Sequence, residues 1–119
     1  MFNIKKGLNI PISGAPSNEV SDSPVSKTVS ILSNDFRGLR PSMFVKEGEN
    51  VLAGQKIFED KKNLGIFYTS PAGGKVLSIN RGEKRKFLSI EIEIDKNENF
   101  RDFSKYINFK ELLIESGCW

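Results

Sequence analysis

At 119 residues the chain has the length of one domain, and its 18 Lys and Arg exceed its 15 Asp and Glu by only three charges, too few to argue for nucleic acid by themselves. It has no histidine and a single cysteine, Cys118, which excludes a histidine-based triad and an internal disulfide framework and argues against a zinc or iron–sulfur site. The lone cysteine fits a reducing compartment. No apolar run approaches the ~20 residues needed to span a bilayer, and Met1–Leu8 lacks a secretory core.

Residues 1–35 are expected to form an N-terminal arm and strand. Phe2 and Ile4 alternate with polar neighbours and suit an edge strand, while Pro11 and Pro16 forbid a continuous ladder. The stretch 17–24, S-N-E-V-S-D-S-P, is a polar connector. Thr28–Leu32 alternates apolar and polar residues, which predicts a half-buried strand with Val29 and Ile31 inward.

Residues 36–95 are the core. After a turn-rich passage with two arginines, N-D-F-R-G-L-R-P (34–41), short apolar runs are punctuated by glycine. Gly48 and Gly54 break the first half, and Gly73 and Gly74 the second. Val45, Val51, Ile57, Phe58, Ile66, Phe67, Val76, Leu77 and Ile79 lie between them. Branched and aromatic runs bounded by Gly, Pro and Asn predict strands joined by tight turns, with glycine supplying positive φ. Two degenerate copies of a strand–turn–strand unit are visible, around Gly48 and Gly54 and around Gly74 and Gly82. Lys86–Ile94 then alternates, which predicts a strand with Leu88, Ile90, Ile92 and Ile94 on one face and Ser89, Glu91 and Glu93 on the other.

Residues 96–119 are a C-terminal segment with one short helix, Phe109–Ser116. Asn108 is its N-cap with Glu111 three residues on, and Gly117 is its C′ residue. Leu112 and Leu113 give it an apolar side, with Phe109 one turn before. The large indole of Trp119 at the chain's end suggests that residues 1–119 are a single domain cut from the N-terminus of a longer chain.

The runs E-G-E-N-V-x-x-G-Q-x-I-F-E and S-P-A-G-G-K-V-x-x-I resemble the turns of the biotinyl/lipoyl-type barrel-sandwich hybrid. A wider match runs through K-K-G-L-N-I-P-I-S-G-A-P (5–16), R-P-S-M (40–43), F-E-D-K-K-N (58–63), S-P-A-G-G-K-V (70–76), I-N-R-G-E-K-R (79–85) and the ending L-L-I-E-S-G-C-W. In order and spacing these resemble the N-terminal domain of the A subunit of the sodium-translocating NADH:quinone reductase. Phe44 stands where a basic residue is more usual, and Cys118 where an aliphatic one is. The family's subunit is several times longer, so the resemblance too implies a fragment.

The resemblance implies a mainly β fold: a barrel-sandwich hybrid with an extended arm and a short C-terminal helix. It implies a peripheral subunit on the cytoplasmic side of a bacterial inner membrane, in a complex that oxidises NADH, reduces ubiquinone and exports sodium. Flavins and an iron–sulfur centre belong to other subunits, and no cofactor is expected in this chain. Partners would be the rest of the A subunit and the other subunits, with ubiquinone at the level of the whole subunit.

Four residues, Arg81, Lys84, Arg85 and Lys86, flank Gly82 at a predicted hairpin tip. They are the interface candidates: arginine and lysine could grip an acidic partner, a phosphate or a lipid headgroup, or could keep an edge soluble. Lys61 and Lys62 lie between the two halves, where a carrier domain would present its modified lysine, but the K-K-N-L-G link is longer than such a turn. The glycines form no dinucleotide or phosphate-loop fingerprint. Neither Glu59 with Asp60 nor Glu93 with Asp95 is placed on a substrate, so no acid–base residue is assigned. Cys118 is expected to pack beside Trp119. The expected function is a non-catalytic docking domain. The alternatives are a lipoyl or biotinyl carrier modified on Lys61 or Lys62 and, more weakly, a nucleic-acid binder whose aromatics lack a basic stripe to track phosphates.

Overall fold

A computed structural model describes residue 7 and residues 12–24, 26–97 and 99–119. Phe2, Ile4 and Pro11 of the expected arm lie outside the described residues. Residues 12–24 are exposed and carry neither helix nor strand.

The strands are β1 (Thr28–Leu32), β2 (Pro41–Met43), β3 (Asn50–Val51), β4 (Lys56–Asp60), β5 (Phe67–Thr69), β6 (Gly74–Arg81) and β7 (Phe87–Ile94), followed by helix α1 (Phe109–Ser116). Every pairing is antiparallel. One sheet has the order β1-β7-β6-β3 and the other β2-β4-β5. The two halves of the core are therefore interleaved: β3 of the first half pairs with β6 of the second, and β5 pairs back onto β4. This is the mainly β, barrel-sandwich arrangement. Phe58, Ile57, Ile90, Ile92 and Val76 fill its interior without solvent contact, and Val29 and Ile31 of β1 pack against them as expected. Each such side chain contributes about 1.5–3 kcal/mol by leaving water.

Alternation breaks where the sheets bulge. On β6, Val76 faces Ile92 and Ser78 faces Glu91, so Leu77 is an extra residue. On β7, Ser89 faces Asn80 and Phe87 faces Arg81, so Leu88 is extra. An inserted residue reverses the facing of everything beyond it. Leu88, expected inward, is 47% exposed, while Phe87 takes the core position at 4%. Phe87 packs 5.6 Å from Phe58, which stacks on Tyr68 at 4.8 Å. A third irregularity, on β4 between Lys56 and Phe58, makes Ile57 and Phe58 both buried despite being neighbours.

The glycine corners divide. Gly48 and Gly54 have φ of 86° and 80°, as the turn reading requires. The second pair does not. Gly74 is the first residue of β6, and Gly82 has φ of −95°. Gly74 is needed for a different reason: a Cβ there would overlap the carbonyl oxygen of Glu93 on β7. At the β6–β7 tip the positive φ falls on Lys84 (52°) and Arg85 (60°) instead of glycine.

Helix α1 has the expected bounds. Asn108 Oδ1 accepts from the N–H groups of Lys110 and Glu111, and Gly117 closes the helix in the left-handed region at φ 75°. Leu112 and Leu113 are half-buried, but Phe109 is 72% exposed, contrary to expectation. The helix meets β5 near its C-terminal end, where Thr69 Oγ1 lies 3.4 Å from the Ser116 carbonyl, so the first turn overhangs the sheet. Cys118 is exposed instead of packed.

Glu115 pins this helix to the sheets. Its carboxylate accepts from Lys56 Nζ on β4 at 2.6 Å, from Arg101 Nη2 at 2.7 Å and from the Tyr106 hydroxyl at 3.2 Å. Arg101 is itself fixed by its backbone N–H donating to the Ala53 carbonyl at 2.9 Å. The hydrogen bonds from Lys56 and then Arg101 hold the Glu115 carboxyl down at about 2.

Two outcomes follow. Gly74→Ala should lower the unfolding free energy by about 2–4 kcal/mol, because β6 must move off β7; urea titration with an unchanged m value checks it. Glu115→Gln should cost roughly 2 kcal/mol at neutral pH. Because the folded pKa is depressed, that stability is present above the unfolded carboxyl value. It should fade as pH falls from about 4.5 toward 2. Denaturation midpoints of wild type and variant should therefore converge across that window.

Candidate functional site

The second half of β6 carries the decisive geometry. Beyond the Leu77 bulge, Ile79 turns to the core side and Asn80 to the outside, where it donates to Ser89 Oγ at 3.0 Å and Glu91 Oε1 at 3.2 Å. Arg81, opposite the buried Phe87, then shares the side of Ile79. It faces a groove of about 860 Å³ between the β6–β7 tip, the edge strand β2 and the turn after β4.

Six cationic side chains line this groove: Arg40, Lys61, Lys62, Arg81, Arg85 and Lys86. Leu39, Pro41, Met43 and Phe87 supply apolar surface, and no carboxylate is in the lining. Among the described residues the ion pairs are Lys56–Glu115 and Arg101–Glu115, so none of the six is paired. Three of the four sequence candidates, Arg81, Arg85 and Lys86, are brought together here. Lys84 is not in the lining; its left-handed backbone carries it out at the tip. Lys61 and Lys62, considered as carrier lysines, form the opposite wall. Arg40 was missed as a site residue. Its place in a turn-rich passage ahead of Pro41 was the available signal.

Asp60 builds that opposite wall. It is buried, its Oδ1 accepts from the N–H groups of Arg40 (3.3 Å) and Lys62 (3.1 Å), and its Oδ2 accepts from Asn63 Nδ2 at 2.7 Å. The Lys62 N–H bond, then the Asn63 bond, hold its carboxyl below the usual range. Glu59 Oε1 accepts from the Gly65 N–H at 2.7 Å. Both carboxylates are thus spent on the turn. Lys61 N–H donates to the Arg40 carbonyl at 2.9 Å, which joins β2 to the turn.

A second hollow of about 460 Å³ lies between β5 and the end of α1, bordered by Phe36, Tyr68 and Trp119. Among the described residues no group of three or more His, Cys, Asp or Glu could hold a metal ion. No helix among them is long and apolar enough to cross a membrane.

The profile of the NqrA N-terminal barrel-sandwich hybrid domain matches residues 2–95. The chain belongs to this family. The A subunit of the Na(+)-translocating NADH-quinone reductase of Photorhabdus laumondii is 48% identical over 129 aligned residues, which cover the whole chain and 29% of that protein. The corresponding protein of Serratia proteamaculans is 50% identical over 130, and that of Neisseria gonorrhoeae 43% over 129, with the same coverage. The chain therefore spans under a third of the length of these relatives. As a member of the family it carries the barrel-sandwich core that the glycine-punctuated runs pointed to, with the cationic groove set in the gap between its sheets.

Asp60→Ala should loosen the Lys61–Lys62 wall without melting the core. Amide exchange at Arg40 and Lys62 is expected to quicken by about tenfold or more, with Ile90 unchanged. Unaltered rates at both amides would show that backbone bonds alone hold the turn.

Proposed function

We propose that this chain is a non-catalytic docking domain of the A subunit of a Na(+)-translocating NADH-quinone reductase, a complex that couples NADH oxidation and ubiquinone reduction to sodium export. The redox groups, flavins and an iron–sulfur centre, are held by other subunits in this reading, and ubiquinone concerns the whole subunit. The domain sits peripherally on the cytoplasmic face of a bacterial inner membrane, bound to the rest of its own subunit and to neighbouring ones.

The observation that carries the reading is the groove of six unpaired cations with no carboxylate in its lining. Arginine and lysine remain charged at neutral pH and titrate far above it. Such a lining is suited to holding a negatively charged surface and to setting association rate and specificity. The relatives' common name, one of the subunits of a membrane reductase, supplies partners for such a surface.

The test is co-purification from the chain's own host. An affinity tag on the chain should bring down the other reductase subunits from detergent-solubilised membranes, and raised salt should weaken that association. Recovery without them would sink the docking reading. A lipoyl or biotinyl mass adduct on Lys61 or Lys62, or a flavin spectrum from the purified chain, would also overturn it.

A further inference from the structure

The groove has a second property besides charge: one of its walls is an open strand edge. β2 is the outermost strand of its sheet, paired only with β4. Phe44 N–H donates to the Ile57 carbonyl at 2.8 Å and Lys61 N–H to the Arg40 carbonyl at 2.9 Å. In an antiparallel ladder the bonded pairs alternate, so Ser42 bonds to Glu59 while Pro41 and Met43 direct their backbone groups away from β4. Among the described residues nothing pairs with those outward groups. Across the gap, the free edge of β6 is treated differently: Glu47 Oε1 accepts from the Ile79 N–H at 2.7 Å and so covers it. The β2 edge keeps Met43 N–H as a donor, and Pro41 limits pairing to a short stretch.

Charge and edge coincide. Arg40 and Lys61–Lys62 lie at one end of β2, and Arg81, Arg85 and Lys86 face it from the hairpin tip. A single phosphate would need donors converging on one point. These six are spread along both sides of an open trough with an apolar floor of Leu39, Met43 and Phe87. A strand laid beside β2 would project its side chains alternately to two sides, giving every second residue to the cations.

We propose that the groove takes an extended acidic segment of a partner protein, added as a short strand on the β2 edge and held by Arg40, Lys61, Lys62, Arg81, Arg85 and Lys86. This names the partner chemistry for the docking role proposed above and rests on that reading. The segment carries alternating Asp or Glu, presents a carbonyl to Met43 N–H, and dissociates as salt rises.

The test uses a short fluorescein-labelled peptide alternating glutamate and threonine, its lysine–threonine counterpart, inorganic phosphate and phosphatidylglycerol vesicles. Anisotropy should show binding of the acidic peptide alone. Affinity should fall by about tenfold or more in R81Q/R85Q/K86Q and likewise in K61Q/K62Q, two variants on opposite walls whose folding is checked by circular dichroism. Bound peptide should slow amide exchange at Met43 by about tenfold or more, a readout that charge attraction without strand pairing leaves unmoved. No binding, tighter binding of phosphate or vesicles, unchanged affinity in both folded variants, or an unprotected Met43 amide would each overturn the proposal. If the tagged chain still brings down the reductase subunits while the peptide fails, this inference falls alone. If the peptide binds while the subunits are not recovered, the docking role falls and the groove stands as a peptide site.

Discussion

Two extra residues, Leu77 on β6 and Leu88 on β7, set the phase on which both core and groove depend. A regular β6 continuing from Val76 would place Ser78 and Asn80 toward the core and throw Ile79 and Arg81 outward. The extra residue at Leu77 reverses that order. The extra residue at Leu88 then lets Phe87 fill the interior opposite Arg81. The aromatic stack of Phe87, Phe58 and Tyr68 and the aim of Arg81 into the groove are thus consequences of the same pair of bulges.

A division of labour among charges reinforces this. Acidic side chains are spent on backbone donors: Asp60 and Glu59 on the turn after β4, Glu49 on the Lys46 N–H, Glu47 on the Ile79 N–H. Glu115 serves two cations and a tyrosine to fasten α1. With these carboxylates committed elsewhere, the cations at one end of the sheets are left unneutralised. A net charge of +3 therefore conceals a strongly positive trough.

Much of the fold was legible along the chain. Thr28–Leu32 and Phe109–Ser116 appear with the bounds and caps expected, because alternation and Asn–Gly capping are local signals. Gly48 and Gly54 are turn glycines for the reason their spacing suggested. Leu88 and Phe109 faced the wrong way in the sequence reading because facing depends on pairing: one sits at a bulge, the other on a turn that overhangs β5. Gly74 was recognised as special but for the wrong cause, since the close carbonyl of Glu93 comes from a strand some twenty residues away in a register that no local pattern encodes.

The sequence by itself determined that this is a glycine-cornered β domain of the NqrA N-terminal family, since turn chemistry, alternation and motif order are written locally and in linear order. It also marked the basic hairpin tip. Only the tertiary structure decided that Arg40 and the Lys61–Lys62 pair would meet that tip across a gap beside the edge of β2, while Lys84 would not. Such a meeting depends on how two sheets interleave and where a strand gains one residue, and both are set by pairing between distant parts of the chain.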